Sequence, residues 1–270
     1  MKLIVHMRKC LLLIPAFIVS LSLISFSGPI SVASSNIAQA NMIMSGLHVT
    51  GNHLYNAANQ PIQLRGVNRS GTEYMCTGSS GGPFDGPSDA ASIDAMLTWH
   101  INAVRISLNE DCWLGINNLP SAGYSAQAYH QAIINYVDLL LSRNIAVILD
   151  LHWNAPGTMQ SKGQQSMPDL DHAPAFWVSV ANVFRGNPSI IFDLYNEPHP
   201  PSWICWRFGS VRPAYTPCSN INYSVVGMQT LVNLIRSTGS TNILMLGGLS
   251  YANNMTQWLA NVPYDVDNNL

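Results

Sequence analysis

Charged residues are scarce in this sequence. Only 10% of its 270 residues are Asp, Glu, Lys or Arg, and the formal net charge is −2. A surface that binds nucleic acid normally carries clustered Lys and Arg, and the chain has no basic run, so nucleic acid is not expected as a partner. The hydrophobic fraction of 47% instead predicts one large domain with a full core.

Common cofactor and metal motifs are also missing. No G-x-G-x-x-G follows the first predicted strand, which argues against a nucleotide-binding fold. No C-x-x-C and no closely spaced group of His and Cys residues is present, so the sequence predicts neither a metal site nor a cofactor.

The N-terminal segment has the pattern of an export signal. Three basic residues lie in the first nine positions, an apolar run covers residues 11–26, and small residues end in Ala38-Gln39-Ala40. This order is typical of a cleaved secretory signal, and we predict one over residues 1–40. The predicted product is a secreted protein without a membrane anchor. The alternative is an uncleaved anchor, since the apolar run is nearly long enough to span a membrane.

The cysteines agree with export. Cys10 lies in the predicted signal, and the remaining four are Cys76, Cys112, Cys205 and Cys218. An even number of cysteines in an oxidising compartment predicts disulfides, although four cysteines permit three pairings. We favour Cys76 with Cys112 and Cys205 with Cys218, because each pair would join loops at the same edge of a sheet.

Strand and helix patterns alternate after a small predicted hairpin over residues 47–62. Five apolar, β-prone segments are separated by amphipathic helical patterns; they cover residues 62–68, 102–108, 145–151, 190–195 and 242–248. Such alternation predicts a parallel sheet with helices outside. A doubly wound sheet fits the same count, but polar and aromatic residues concentrate after the strands, which favours a (β/α)8 barrel.

The segment Ile190 to His199 organises the candidate site. An apolar run ends abruptly in Asn196-Glu197-Pro198, at the carboxyl end of a predicted buried strand. We expect Pro198 to hold Glu197 in an extended conformation. A partly desolvated Glu there would have the raised pKa of a general acid. The alternative is a Glu that caps the next helix or forms a salt bridge.

Other polar and aromatic residues share this position at strand ends; they are Asn68, Arg105, His152 and Trp153. Glycoside cleavage needs a carboxyl that protonates the leaving oxygen and a second carboxylate. Arg would keep the second carboxylate ionised, His and Asn would hydrogen-bond the sugar, and Trp would stack on it. Asp150 and Asp193 precede His152 and Glu197 by even steps and are expected to be interior hydrogen-bond partners.

Four motifs occur in the order and spacing of one known family. They read LRGVN at residues 64–68, VRI at 104–106, DLHW at 150–153 and NEP at 196–198. The chain resembles glycoside hydrolase family 5 from about Leu47 onwards, and within it most closely the secreted bacterial endo-β-1,4-glucanases. The resemblance implies a (β/α)8 barrel that retains anomeric configuration, with catalytic glutamates at the ends of strands four and seven.

The resemblance also implies residue roles. Glu197 would be the general acid/base, Asn196 would contact the sugar 2-hydroxyl, Arg105 would support the nucleophile and His152 would line the same subsite. Alternatively, Arg105 only bridges strands and His152 is structural. Asn68 and three aromatic residues are further candidates for substrate binding, although loop aromatics often serve local packing; the three are Trp153, Trp203 and Trp206.

The strand count departs from the family pattern. Only about the first five β/α units are found, so the nucleophilic Glu is expected beyond residue 270, and we interpret residues 41–270 as an incomplete catalytic barrel. A truncated part of a longer enzyme is favoured over a genuine five-unit chain, and either is expected to be inactive alone. Glu73, Glu110 and Asp111 are other loop carboxylates without a family pattern.

The expected activity is hydrolysis of a β-1,4-glucan such as cellulose by a monomeric enzyme, with a polysaccharide as its partner. A β-mannanase, or a non-catalytic carbohydrate-binding protein with the same fold, are the alternatives. The presence of a later strand-end Glu would distinguish the enzyme from the binding protein.

Overall fold

The computed structural model describes residues 44–78, 82–121, 124–211 and 217–270. The predicted signal at residues 1–40 therefore lies outside the described residues. Within the described part, none of the helices combines the length and the apolar character needed to cross a membrane.

Two short sheets flank the main sheet. The predicted hairpin is a three-stranded antiparallel sheet of β1 (His48–Thr50), β2 (His53–Tyr55) and β3 (Pro61–Ile62). The second short sheet pairs β8 (Gly209–Ser210) with β9 (Val225–Val226).

The main sheet has five parallel strands: β4 (Gly66–Arg69), β5 (Ala103–Asn109), β6 (Ala146–Trp153), β7 (Ile190–Asp193) and β10 (Leu244–Met245). They lie side by side in the order β4-β5-β6-β7-β10, as successive barrel strands would. Among the described residues β4 and β10 are the two edges, so the sheet is an open part of a barrel. The predicted α/β barrel architecture with five units is confirmed.

The first six of the helices described here lie between these strands in the chain, and the last follows β10. They are α1 (Ala90–Leu97), α2 (Glu110–Leu114), α3 (Ala126–Leu141), α4 (Ala173–Phe184), α5 (Trp203–Phe208), α6 (Met228–Ser237) and α7 (Trp258–Asn261). Ser125 caps α3, since its hydroxyl accepts from the amide of Ala128 at 3.1 Å. Asp89 caps α1, because its carboxylate accepts from Ser92 N at 2.9 Å.

The two faces of the sheet carry different side chains. On β5, Val104, Ile106 and Leu108 are fully buried in the large core shared with the helices. Ala103, on the opposite face, belongs to a smaller cluster with Ile148 and other residues of the barrel interior. Arg105 follows Ala103 by two residues and lies on the interior face as well.

The N-terminal hairpin closes one end of the barrel interior. Buried Met44 and Leu47 join Ala146, Ile191 and Ile243 in the smaller cluster, at the amino ends of the strands. The apolar interior at this end leaves the opposite, carboxyl ends of the strands for polar side chains.

Both favoured disulfides are present. Cys76, in the loop after β4, bonds to Cys112 on α2, and Cys205 on α5 bonds to Cys218. Each bond joins segments that follow a strand of the main sheet, which fixes the loops at the carboxyl edge.

Three predicted strands are shorter than the sequence pattern indicates. The fourth ends at Asp193 rather than at residue 195, and the other two differ more. The first breaks between Ile62 and Gly66, so its ends belong to β3 and β4 in different sheets. The fifth retains only Leu244 and Met245 as β10. The first and fifth strands are short because a β-prone segment forms a hydrogen-bonded ladder only where a neighbouring strand lies alongside it.

Candidate active site

Arg105 is the centre of an ion-pair network on the interior face. Its Nη2 lies 2.9 Å from Asp150 Oδ1 and 2.8 Å from Asp193 Oδ2, and its Nε donates to Asp193 Oδ2 at 2.9 Å. The strand register brings these three side chains together. Asp150 on β6 pairs with Asp193 on β7, and Arg105 lies two residues before the β5 partner of Asp150. We call Arg105, Asp150, Asp193 and His152 the arginine network.

His152 is fixed by the same network. Its Nδ1 lies 2.5 Å from Asp150 Oδ2, and Asp150 is fully buried. The even spacing along β6 places both side chains on one face, as predicted. Asp150 and Asp193 are therefore interior partners of the basic side chains, which confirms the sequence interpretation.

Asn196 connects this network to the end of β7. Its Oδ1 accepts from Arg105 Nη2 at 3.1 Å, and its Nδ2 donates to Gln164 Oε1 at 3.0 Å. Gln164 in turn donates to the carbonyl oxygens of Asn196 and Glu197 at 3.0 and 2.9 Å. The amide orientation of Asn196 is thus set from both sides. Sequence reasoning missed Gln164, because it lies in a long polar loop without periodicity.

Glu197 differs from its predicted conformation in two respects. Its φ of 45° lies in the left-handed region, so Pro198 does not hold it extended. Its side chain is also exposed in the described part of the molecule, so the expected partial desolvation is wrong here. The strand ends at Asp193, and the chain turns sharply before Pro198, which directs the carboxyl away from the packed interior. Strained backbone of this kind is frequent at functional sites.

A cleft of about 520 Å³ lies at this edge of the sheet. Four predicted site residues line it: Asn68, Arg105, Asn196 and Glu197. The opposite wall is the segment after β10, which contributes Gly247, Gly248, Tyr251 and Met255. His152 and Trp153 do not line the cleft, although His152 belongs to the arginine network and contacts Asp150.

The predicted aromatic platforms lie in different environments. Trp153 is half-buried, with its ring centroid 6.3 Å from that of Tyr74. Trp206 is fully buried and Trp203 is 8% exposed, and both pack edge-on against Trp258. The prediction that Trp203 and Trp206 offer faces to a sugar is therefore wrong for this structure, because tertiary packing covers them.

Tyr251 is the aromatic side chain that sequence reasoning overlooked. It lines the cleft, is 54% exposed and stacks on His199 with ring centroids 4.2 Å apart. Its position after a short strand gave no periodic signal, and only the close approach of the β10 loop to Pro198 brings it there; Tyr251 N donates to Pro198 O at 3.0 Å.

Burial and charge oppose each other within the network. Burial raises the pKa of Asp193 to about 7, Asp150 adds to the rise, and Arg105 opposes it. Since Arg105 contacts the cleft carboxylate Asp193 directly, this part of the site has no free carboxylate pair for a metal ion. Among the described residues, those whose donor atoms suit a metal ion lie at the start of α2 and in the segment before α4.

Comparison with known proteins identifies the family. Residues 55–270 match the model of Cellulase (glycosyl hydrolase family 5). The chain belongs to glycosyl hydrolase family 5.

Two curated relatives of this chain are endoglucanases. Endoglucanase MaCel5A of Microbulbifer sp. (strain ALW1) is 31% identical over 58% of this chain and 27% of its own length. Endoglucanase CelA of Streptomyces lividans is 30% identical over 58% of this chain and 29% of its own length. This chain therefore matches less than a third of either relative.

The fold matches that of solved family 5 structures. The structure of XacCel5A in complex with cellopentaose aligns with a TM-score of 0.50 and 24% identity, over 75% of this chain and 57% of that one. At this identity the likeness concerns the fold, a partial (β/α)8 barrel.

Proposed function

We propose that this protein is a retaining endoglucanase of family 5 that cleaves β-1,4-linked glucan, with Glu197 as the general acid/base. The observation that carries the proposal is the cleft in which exposed Glu197 lies beside Asn196 and the arginine network. An exposed carboxyl at the carboxyl end of a barrel strand is accessible to a glycosidic oxygen. The endoglucanase names of the relatives support a β-glucan as the substrate.

Asn196 and Arg105 have positioning roles in this proposal. One Asn196 amide hydrogen is used by Gln164, and the second is available to the 2-hydroxyl of a bound sugar. Arg105 holds Asn196 by its carbonyl oxygen and supplies positive charge beside the cleft, which favours an ionised nucleophile. Asn68 and Tyr251 are proposed to contact the sugar from the two walls.

The nucleophile is proposed to be a Glu on a later strand, beyond residue 270. A retaining enzyme needs its two carboxyl groups about 5–5.5 Å apart. The other loop carboxylates do not qualify, because Glu73 is 6% exposed and Glu110 and Asp111 are fully buried. Asp193 is occupied by Arg105.

Export is part of the same proposal. Two disulfides suit an oxidising compartment, and a soluble enzyme cannot attack an external polysaccharide from inside the cell. We propose cleavage of a signal at residues 1–40, secretion, and action as a monomer without nucleic acid or membrane partners. Mass spectrometry of the exported protein would locate the new N-terminus.

The first experiment is to sequence the genomic DNA downstream of the codon for Leu270. Three further strand–helix units with a strand-end Glu support the enzyme. An in-frame stop in an expressed gene would instead favour a carbohydrate-binding protein with the same fold.

The second experiment measures hydrolysis by the protein that includes those units. We expect Glu197→Gln to lower cellulose hydrolysis by about 100-fold or more, with cellopentaose affinity retained, because only proton transfer is removed. Asp138→Asn, on the exposed face of α3, is the matched control and should keep full activity. Ordinary activity of Glu197→Gln would overturn the acid/base assignment. Faster hydrolysis of mannan than of soluble cellulose would make the protein a β-mannanase.

A further inference from the structure

A second group of acidic side chains lies outside the cleft. Glu110 and Asp111 begin α2, and Asp169, Asp171 and His172 precede α4. We call these five residues the acidic cluster. His172 Nδ1 lies 3.8 Å from Glu110 Oε1 and 3.7 Å from Asp169 Oδ1, and its Nε2 lies 4.0 Å from Asp171 Oδ2.

The cluster is buried and short of positive charge. Glu110, Asp111 and Asp169 are fully buried, whereas His172 is half-buried and Asp171 is exposed. Across the described ranges, His172 is the only basic side chain within 4.0 Å of these carboxylates. Four carboxylates with one imidazole form an arrangement that strongly favours uptake of positive charge.

Two of the buried oxygens have no hydrogen-bond partner in the described part of the chain. They are Glu110 Oε2 and Asp111 Oδ1. The second oxygen of each carboxylate is held by backbone amides, Glu110 Oε1 by Ala155 at 3.3 Å and Asp111 Oδ2 by Ser161 at 3.0 Å. Asp111 is therefore fixed in place with Oδ1 left without a donor among the described residues, which is costly in a buried site. The Glu110 carboxyl also shares a hydrogen bond with that of Asp169.

The spacing of the donor atoms suits a metal ion. Glu110, Asp111 and His172 offer ligand atoms that all lie within 4.8 Å of one another, and so do Asp169, Asp171 and His172. Ligands that bind one ion at 2.1–2.5 Å are separated by roughly 3–5 Å. We propose that the acidic cluster binds a divalent cation, and that Mn²⁺ suits its mixture of carboxylate and imidazole ligands best.

His172 can offer either ring nitrogen to a cation. Its Nδ1 lies 3.1 Å from the carbonyl oxygen of Ala155 and faces Glu110 and Asp169, whereas its Nε2 faces Asp171. The alternative source of positive charge is a proton. Burial raises the pKa of Glu110 well above its ordinary value, and nearby Asp169 adds to the rise.

The cation would stabilise the loop that supports the candidate active site. Asp169 Oδ2 accepts from Asn154 Nδ2 at 2.8 Å, and Asn154 Oδ1 lies 2.7 Å from the hydroxyl of Tyr195. Tyr195 directly precedes Asn196 and Glu197. An ion at Asp169 is thus two hydrogen bonds from the strand end that carries the candidate acid/base.

The test is direct Mn²⁺ binding to the chain after treatment with EDTA, at pH 7.5. The electron paramagnetic resonance signal of free Mn²⁺ gives the stoichiometry, and thermal unfolding gives the effect on stability. We expect saturable binding and a rise in Tm of about 5 °C or more at 100 times the Kd. Neither readout depends on hydrolysis, so this result is separate from the proposed function.

Three substitutions locate the ion. Glu110→Gln and Asp169→Asn should abolish saturable binding, and Asp171→Asn, at an exposed side chain that accepts from Gly157 N at 2.6 Å, should weaken it about 10-fold. Asp138→Asn should bind as the unchanged chain does. Absence of saturable binding to the unchanged chain would overturn the proposal and assign the positive charge to protons. Equal binding by Asp171→Asn and the unchanged chain would also overturn it, because the ion would then lie elsewhere.

Discussion

The arginine network and the acidic cluster both contain buried carboxylates, but they differ in the positive charge that lies beside them. Both bury carboxylates completely, Asp150 in one and Glu110 in the other. In the network a guanidinium lies 2.9 Å from Asp150 and a histidine lies 2.5 Å from it. In the cluster the nearest basic group to Glu110 in the described residues is an imidazole 3.8 Å away.

The difference determines what each region can do. The charge of the network is balanced within the protein, so its residues can position Asn196 and Glu197 without an external ion. The cluster needs a charge from solution, either protons or a metal ion. Removal of one charged group should therefore cost much more stability in the network than in the cluster.

The largest expected effect is loss of the cation in the network. Arg105→Met leaves Asp150 and Asp193 buried without a counter-charge, and we expect the free energy of unfolding to fall by about 3–5 kcal/mol. Urea unfolding followed by circular dichroism measures this. Arg143→Met removes a surface arginine paired with Asp94 and should change stability little. Equal effects of the two substitutions would contradict the central role of Arg105.

The sharpest comparison substitutes one buried carboxylate in each region by its amide. Asp150→Asn should lower the free energy of unfolding by about 3 kcal/mol, because Arg105 and His152 lose their partner. In EDTA, Glu110→Gln should change it by less than about 1 kcal/mol, because Glu110 has no close ion pair to lose and burial already raises the pKa of its carboxyl well above the ordinary value. Similar losses for both variants would show that the cluster has internal charge balance after all.

The pH dependence tests how completely Arg105 balances the network. The raised pKa of Asp193, about 7 against an ordinary 3.8, means that the folded state holds a proton that the unfolded state has released. The stabilisation of the folded state by this proton on Asp193 is fully present below pH 4 and is lost as the pH rises through 7. Asp193→Asn cannot titrate, so between pH 5 and 8 it should lose about 2–3 kcal/mol less than the unchanged chain.

Asp138→Asn is the control for this dependence of the free energy of unfolding on pH, since the Asp138 side chain is exposed. Urea unfolding at several pH values compares the three proteins. A slope for Asp193→Asn equal to that of the unchanged chain would mean that Arg105 keeps Asp193 ionised throughout this range.

The smallest expected effect concerns the connection between the network and Glu197. Gln164→Ala removes three hydrogen bonds to Asn196 and Glu197, and we expect a loss of about 1–2 kcal/mol in the free energy of unfolding. Gln131→Ala, on the exposed face of α3, is the matched control and should have a smaller effect. No difference between them would mean that water replaces the Gln164 contacts at no cost.

Short-range pattern was sufficient for much of the fold. The alternation of apolar strands with amphipathic helices predicted the parallel sheet, because strand and helix periodicities are local properties of the chain. The even spacing of Asp150 and His152 placed both on the interior face for the same reason. The motifs around Arg105 and Glu197 indicated the family, which the match over residues 55–270 confirms.

Contacts between distant segments decided the rest. Trp203 and Trp206 have the composition of sugar platforms, but α7 covers them, and a helix more than fifty positions away leaves no local signal. Glu197 adopts a positive φ in spite of the proline that follows, because Gln164 and the end of β7 hold its backbone. Tyr251 reaches the cleft only through the β10 loop.

The sequence by itself thus determined the order of the strands and helices, the face on which each network residue lies, and the family. The tertiary structure alone decided which side chains are covered and which charges meet. Nothing near Glu110 in the chain indicated that Asp169 and His172 would lie beside it, because long-range packing of α2 against α4 brings them together. Burial and charge balance depend on such packing, and local periodicity carries no information about it.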